Sequence, residues 1–253
     1  MLQWLQLTID KIQSCKKIDD LKVIMIDIQE KLEYDFIIYN IQFSSSFKET
    51  FFISIGTFPN EWIKHYISKN YASIDPIVKH CISSNTPISW HQFYKDENYK
   101  IYNLFKEVSD YELLGGASIG YRVNSGEVGI FSISKKEPLT EKSKLYCNTI
   151  LYMTSLQPYI HDSLKRVSNN YNSSDSSPLT KRELECLTWT AEGKTSGEIA
   201  SILHISESTV IFHIKNIINK LEVSNRTQAI SKAILTGLIS TNSDVKKITY
   251  LPL

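Results

Sequence analysis

Apolar residues recur at two different periods along this chain. Over residues 2–15, 18–32, 60–70 and 98–109 they fall three and four apart, the spacing of a helix with one buried face. Between these stretches lie short runs rich in β-branched and aromatic residues: FIIYNIQF from Phe36, TFFISIG from Thr50, GGASIGYRV from Gly115 and VGIFSIS from Val128. Such runs predict strands, the last two joined by a hairpin through Ser125 and Gly126. A further helix is predicted over about 140–167. Helices interspersed with short strands imply an α+β domain over residues 1–167, built as an α/β/α sandwich around a mostly antiparallel sheet. The run SNNYNSSDSSP, residues 168–178, loses apolar periodicity and reads as a linker.

Over residues 179–240 the pattern is helical throughout, and the predicted unit is all-α, with four helices at about 181–192, 196–203, 207–221 and 226–236. Their starts are explicit. Thr180 to Glu183 and Thr195 to Glu198 each fit a capping box, in which the threonine hydroxyl takes an orphan amide and the glutamate reaches back. Asn225 to Gln228 is a looser version, Ser206 is a natural N-cap, and Gly193 and Gly237 stand where helices end in a left-handed residue. Residues 241–253, TNSDVKKITYLPL, form a tail with no predicted element.

His204, Ile205 and Ser206 separate the second and third of these helices, the short turn of a helix-turn-helix. Ile199, Ile202 and Leu203 would pack against Val210, Ile214, Ile217 and Leu221. Ser208, Thr209, Ile211, Phe212, Lys215, Asn216 and Asn219 would then face outward, a mostly uncharged surface suited to a DNA groove. On pattern alone a plain helical bundle is the alternative. Between His213 and Lys232, Lys215, Lys220, Arg226 and Lys232 stand against Glu222, so the stretch is locally basic.

Composition narrows the partners. Hydrophobic residues make up 42% and charged residues 22%, as in an ordinary globular protein, and the net charge of +1 confines any nucleic-acid surface to a local patch. Nothing approaches a membrane span, and MLQWLQLTIDKIQSCKK reads as an amphipathic helix, not a signal peptide. Cys15, Cys81, Cys147 and Cys186 show no metal-binding spacing and are expected to be reduced, buried thiols in a cytoplasmic protein. No strand-Asp-turn suggests a phosphoryl receiver.

The segment from Leu179 to Ile230, LTKRELECLTWTAEGKTSGEIASILHISESTVIFHIKNIINKLEVSNRTQAI, resembles the DNA-binding domain of the LuxR family. Glu183, Leu187 and Gly193 fill recurrent positions of that family, with Leu187 and Gly193 also readable as core and cap. The resemblance implies DNA contacts from Thr195, Ser208, Thr209, His213, Lys215, Asn216 and Lys220, the threonines anchoring phosphate at helix starts. From about Leu32 to Ser134 the chain is similar to the acyl-homoserine-lactone-binding domain of LuxR-type quorum-sensing receptors, carrying Trp62, Tyr66, Asp75, Pro76, Trp90 and Gly116.

Residue chemistry alone leaves these aromatics readable as core and Asp75 as a helix N-cap. The resemblance implies more. The Trp62 indole N–H would donate to the lactone carbonyl and Asp75 would accept from the ligand amide. Tyr66 would line the acyl path, Trp90 would pack near the lactone ring, and Ser132 would contact the acyl carbonyl. Two positions depart from the family: Phe58 stands where many members have a ligand-supporting tyrosine, and Gly120 where many have proline. LEYDF and WTAEGKTSGEIA are similar to the SdiA-like subgroup, whose members often sense signals they do not make.

The implied protein is a homodimeric, cytoplasmic transcription regulator without catalytic activity or cofactor. It would bind an N-acyl-homoserine lactone and double-stranded promoter DNA, with RNA polymerase a further candidate partner. Two alternatives stand beside it: a regulator of the same build that holds another amphipathic molecule or none, and an enzyme acting on an acyl lactone. The enzyme would need a nucleophile with an adjacent base or a metal cluster, and His65, His80 and His91 are too irregularly placed to supply one.

Overall fold

A computed structural model describes residues 2–44, 50–94, 98–123, 127–138, 144–168 and 179–239. The expected hairpin turn at Ser125 and Gly126, nearly all of the linker, the first residues of the 140–167 helix and the C-terminal tail lie outside the described residues. The chain divides into two compact units, the first carrying helices α1–α6 and a sheet, the second carrying α7–α10.

In the first unit the helices are α1 (Leu2–Ser14), α2 (Ile18–Leu32), α3 (Asn60–Ser68), α4 (Pro76–Ser83), α5 (Tyr99–Asp110) and α6 (Lys144–Val167). The strands are β1 (Phe36–Ser44), β2 (Thr50–Gly56), β3 (Ile88–Ser89), β4 (Gly115–Arg122) and β5 (Val128–Lys135), in the order β2-β1-β5-β4-β3. The pairs β1–β5, β5–β4 and β4–β3 are antiparallel. Alternation along the strands sends side chains to two cores. Ile37, Tyr39, Ile41, Ala117, Ile119, Phe131 and Ile133 pack with α1, α2 and α6, while Ile38, Val128 and Ile130 pack with α3, α4 and α5. The sheet is thus the middle layer of the predicted sandwich.

Helix α4 and strand β3 were not expected. The eight residues PIVKHCIS are too few to show a helical period, and β3 is two residues long. Gly120 explains one departure from the family. A Cβ there would stand 2.4 Å from the Cys81 carbonyl oxygen and 2.7 Å from that of Ser84, so α4 approaches β4 more closely than a larger residue permits. Of the four thiols expected to be buried, Cys15, Cys81 and Cys186 are, but Cys147 is exposed on α6.

The second unit comprises α7 (Lys181–Ala191), α8 (Ser196–Leu203), α9 (Glu207–Lys220) and α10 (Arg226–Leu235). Thr180 and Thr195 close both expected capping boxes, Ser206 caps α9 and Asn225 caps α10. Gly193 and Gly237 adopt φ of 81° and 68°, as expected of helix ends. The turn between α8 and α9 pivots on His204, left-handed at φ 55° despite its side chain. Cys186, Leu187, Ile199, Val210, Ile217 and Leu221 form the core. Ile202, expected in that core, is instead 38% exposed.

Candidate functional site: a ligand cavity and a helix-turn-helix

Between the sheet and helices α3–α5 lies a cavity of about 450 Å³, a size that suits a small amphipathic molecule. Phe58, Trp62, Tyr66, Asp75, Trp90 and Ser132 all line it, Trp62 and Tyr66 from α3 and the others from different parts of the fold. The rest of the wall is largely apolar, including Ile38, Ile77, Val78, Leu104, Val108 and Ile130. Asn40, Ser54 and Asn70 also reach the wall, and no sequence signal had marked them; Ser54 Oγ donates to Asn40 Oδ1 at 2.6 Å.

Asp75 is both the N-cap it resembled and a wall residue. Its Oδ1 accepts from the Ile77 amide at 2.8 Å, and its Oδ2 accepts from the Tyr66 hydroxyl at 2.7 Å. The Val78 amide also bonds the carboxylate, so three of its roughly four lone-pair sites are taken and one is left for a donor from the cavity. Burial pushes the Asp75 carboxyl above its ordinary pKa, and the Tyr66 hydroxyl, the Ile77 and Val78 amides and Lys79 offset that only in part. Tyr66 is held protonated by burial and by the neighbouring Asp75 charge. It is therefore an anchor for the carboxylate as well as part of the cavity wall. The Trp62 ring is buried against Tyr66 and Tyr71, and its indole N–H makes no hydrogen bond within the described residues.

Opposite, Phe58 packs edge-on against Trp90 at 6.2 Å. The Trp90 indole N–H donates to Ser118 Oγ at 2.9 Å, and Ser118 Oγ lies 2.7 Å from Ser132 Oγ. Gly116 makes room for this ring, since a Cβ there would come within 2.4 Å of Trp90 Cδ2. Ser118 was missed because GGASIG reads as an undistinguished strand of small residues.

On α9, Ser208 and Lys215 are exposed, as are the apolar Ile211 and Phe212 at 54% and 60%, while Thr209, His213 and Asn216 are half-buried. Thr209 Oγ1 lies 2.7 Å from the Ser206 hydroxyl, and Thr195 is engaged with Glu198 in its cap. Lys220, expected beside phosphate, donates from its Nζ to Glu183 Oε2 at 2.7 Å. Glu183 is 3% exposed and also accepts from the Thr180 amide. Burial alone would raise its pKa, but Lys220 and the Thr180 amide and hydroxyl outweigh that and hold the carboxyl below its ordinary value. No described helix is long and apolar enough to cross a membrane.

Comparison with known proteins agrees over nearly the whole chain. The autoinducer binding domain matches residues 17–164, and the domain of bacterial regulatory proteins of the luxR family matches residues 177–233. The chain is 32% identical over 232 residues to the transcriptional activator protein LuxR of Aliivibrio fischeri, covering 91% of this chain and 92% of that one. It is 34% identical over 227 residues to the transcriptional activator protein AnoR of Acinetobacter nosocomialis, covering 88% and 94%. Among solved structures, Escherichia coli SdiA superimposes with a TM-score of 0.79 at 28% identity, over 94% of this chain and 99% of that one. SdiA in complex with octanoyl-rac-glycerol gives 0.80 at the same identity, over 94% and 96%. Its relatives are transcriptional regulators and not enzymes, and on the cavity, the helix-turn-helix and these matches together, the chain belongs to the LuxR family of bacterial regulators, with an autoinducer-binding domain followed by a DNA-binding domain.

Proposed function

We propose that this regulator holds an N-acyl-homoserine lactone in the cavity and, as a cytoplasmic homodimer, binds inverted-repeat promoter DNA through α8 and α9. The boundaries 1–167, 168–178, 179–240 and 241–253 would then divide sensor, linker, DNA-binding domain and tail. The observation that carries the reading is the polar equipment of an otherwise apolar cavity. The Trp62 N–H is a donor without a partner among the described residues, Asp75 is an acceptor with a lone pair to spare, and Ser132 is a hydroxyl on the facing wall. An acylated lactone offers one N–H, two carbonyls and a lipid tail, which this set matches group for group.

Asp75→Asn tests it. Asparagine keeps an oxygen for the Ile77 amide, so the fold should persist, but a neutral acceptor replaces a charged one. Lactone binding measured by calorimetry should weaken by about 1.5–3 kcal/mol. A pH series sharpens the test. Because the folded Asp75 pKa is raised, its charge costs stability at neutral pH, and that cost is relieved as pH falls through the raised value. The ligand amide needs the ionised form, so wild-type affinity should drop over that same window, beginning above the ordinary carboxylate range. Asp75→Asn should show no such drop. Unchanged affinity in the variant would remove Asp75 from the site.

The structure of E. coli SdiA with octanoyl-rac-glycerol favours a second reading, in which the ligand is another acyl amphiphile. Titrating octanoyl-glycerol beside octanoyl-homoserine lactone separates the two.

For DNA, a dimer would set two α9 helices into successive major-groove faces. Lys215 and Lys220 are both exposed on α9, and Lys220 is paired with Glu183, so Lys215 is the cation better placed to meet phosphate. Lys215→Ala should weaken binding to cognate and scrambled DNA alike and flatten the slope of log K against log salt by about 0.9 per subunit. Asn216→Ala should cost about 1–3 kcal/mol on the cognate repeat alone, if that side chain reads a base edge. Filter binding at several salt concentrations checks both.

A further inference from the structure

We propose that Trp90 and Ser118 fix the direction of the Ser132 hydroxyl, so that this wall presents a hydrogen-bond donor and selects ligands with an acceptor oxygen there. The inference rests on the cavity being the ligand site. An indole N–H can only donate, so Ser118 Oγ must accept from Trp90 at 2.9 Å. Ser118 is completely buried, and its other hydrogen-bond partner among the described residues is Ser132 Oγ, 2.7 Å away. If Ser132 donated to Ser118, the Ser118 proton would be left in the core without an acceptor. The arrangement that strands no proton in the core runs one way, from Trp90 to Ser118 to Ser132.

Ser132 then accepts from Ser118, and its own proton is left over. Ser132 lines the cavity and has no other hydrogen-bond partner among the described residues, so that proton is available to a ligand. The backbone holds the geometry: Ser118 and Ser132 are direct cross-strand partners on β4 and β5, and Gly116, two residues before Ser118, lets the Trp90 ring lie against the strand. The chemistry selected is a carbonyl oxygen, as in an acyl amide or acyl ester, whereas a ligand presenting a donor at this point would meet a donor. Ser118 is a positioning residue, two bonds from the ligand, and Trp90 contributes its N–H as well as its ring.

The test pairs N-octanoyl-homoserine lactone with its thioamide, in which sulfur, a poorer acceptor, replaces the acyl oxygen while the N–H remains. Wild type should bind the thioamide about fivefold more weakly, the worth of one neutral hydrogen bond. Ser132→Ala should abolish the preference, and Ser118→Ala and Trp90→Phe should reduce it to less than twofold. A merely structural Ser118 would lower affinity for both ligands and keep the ratio, which would overturn the proposal. If wild type binds neither compound, the lactone reading falls by itself, and the relay is read in ligand-free protein. There the indole proton resonance of Trp90, assigned with Trp90→Phe, should move upfield in Ser118→Ala and much less in Ser132→Ala. An unmoved resonance in Ser118→Ala would overturn the relay.

Discussion

Lys220→Met is expected to destabilise the helix-turn-helix unit by about 2–4 kcal/mol, more than Glu183→Gln does, although Lys220 is the more exposed partner. The asymmetry follows from which charge each change leaves behind. Removing the lysine strands a carboxylate that is 3% exposed, whereas removing the carboxylate leaves an ammonium that is 38% exposed and can turn into water. Breaking a buried pair costs most when the survivor stays buried and uncompensated. The pH dependence should also change sign. In wild type the folded Glu183 carboxyl titrates below its ordinary value, so the stability it contributes is present above the ordinary glutamate pKa and lost as pH falls through the folded value. Without Lys220, burial, already the largest single influence, is opposed only by the Thr180 amide and hydroxyl and is expected to raise the folded pKa, so acidification should relieve the variant. Urea unfolding between pH 4 and 7, followed by the fluorescence of Trp189 on α7, would show opposite trends for the two proteins. Parallel curves would mean that the pair does not hold α7 to α9. Where both proteins are folded, coincident salt slopes on DNA would show that Lys220 is spent on Glu183, and a slope flatter by about 0.9 per subunit in the variant would show that it also neutralises a phosphate.

What the sequence disclosed depended on whether a feature is local. The long helices and strands were legible because each repeats its period over many residues, and the caps at Thr180, Thr195, Ser206 and Asn225 because each motif closes within four. Helix α4 was hidden by its brevity, although Asp75-Pro76 marked its start. The cavity is different in kind. Trp62, Asp75, Trp90 and Ser132 meet only through the packing of α3, α4, the turn after β3 and β5, and nothing in their spacing says so; resemblance to a family named them, and the fold brought them to one cavity. Ser118 fell outside both routes, being neither periodic nor part of the resemblance. The pair of Lys220 with Glu183 was hidden for the same reason, because the carboxylate comes from 37 residues earlier and only tertiary structure brings it to α9.

Gly116→Ala is expected to cost the sensor unit about 2–6 kcal/mol and to weaken ligand binding more than tenfold, with no change in the residues of the polar set themselves. A methyl group at this position would lie 2.4 Å from two carbons of the Trp90 ring, far inside van der Waals contact. An indole is rigid and cannot bend its edge away, and Phe58 packs against its other neighbourhood at 6.2 Å, so the whole ring must shift. Overpacking of this kind costs about 1–3 kcal/mol. The shift also pulls the indole N–H from Ser118, and a buried donor left without an acceptor costs about 1–3 kcal/mol more. The same displacement moves one wall of the cavity and slackens the hydroxyl of Ser132. A second substitution separates crowding from a backbone effect of losing glycine: Gly116→Ala combined with Trp90→Leu creates the space that the methyl group needs. If crowding is the cause, thermal unfolding should show the double variant to be more stable than the sum of the two single changes allows. Strict additivity would place the cost of Gly116→Ala in the β4 backbone and would leave Trp90 unmoved.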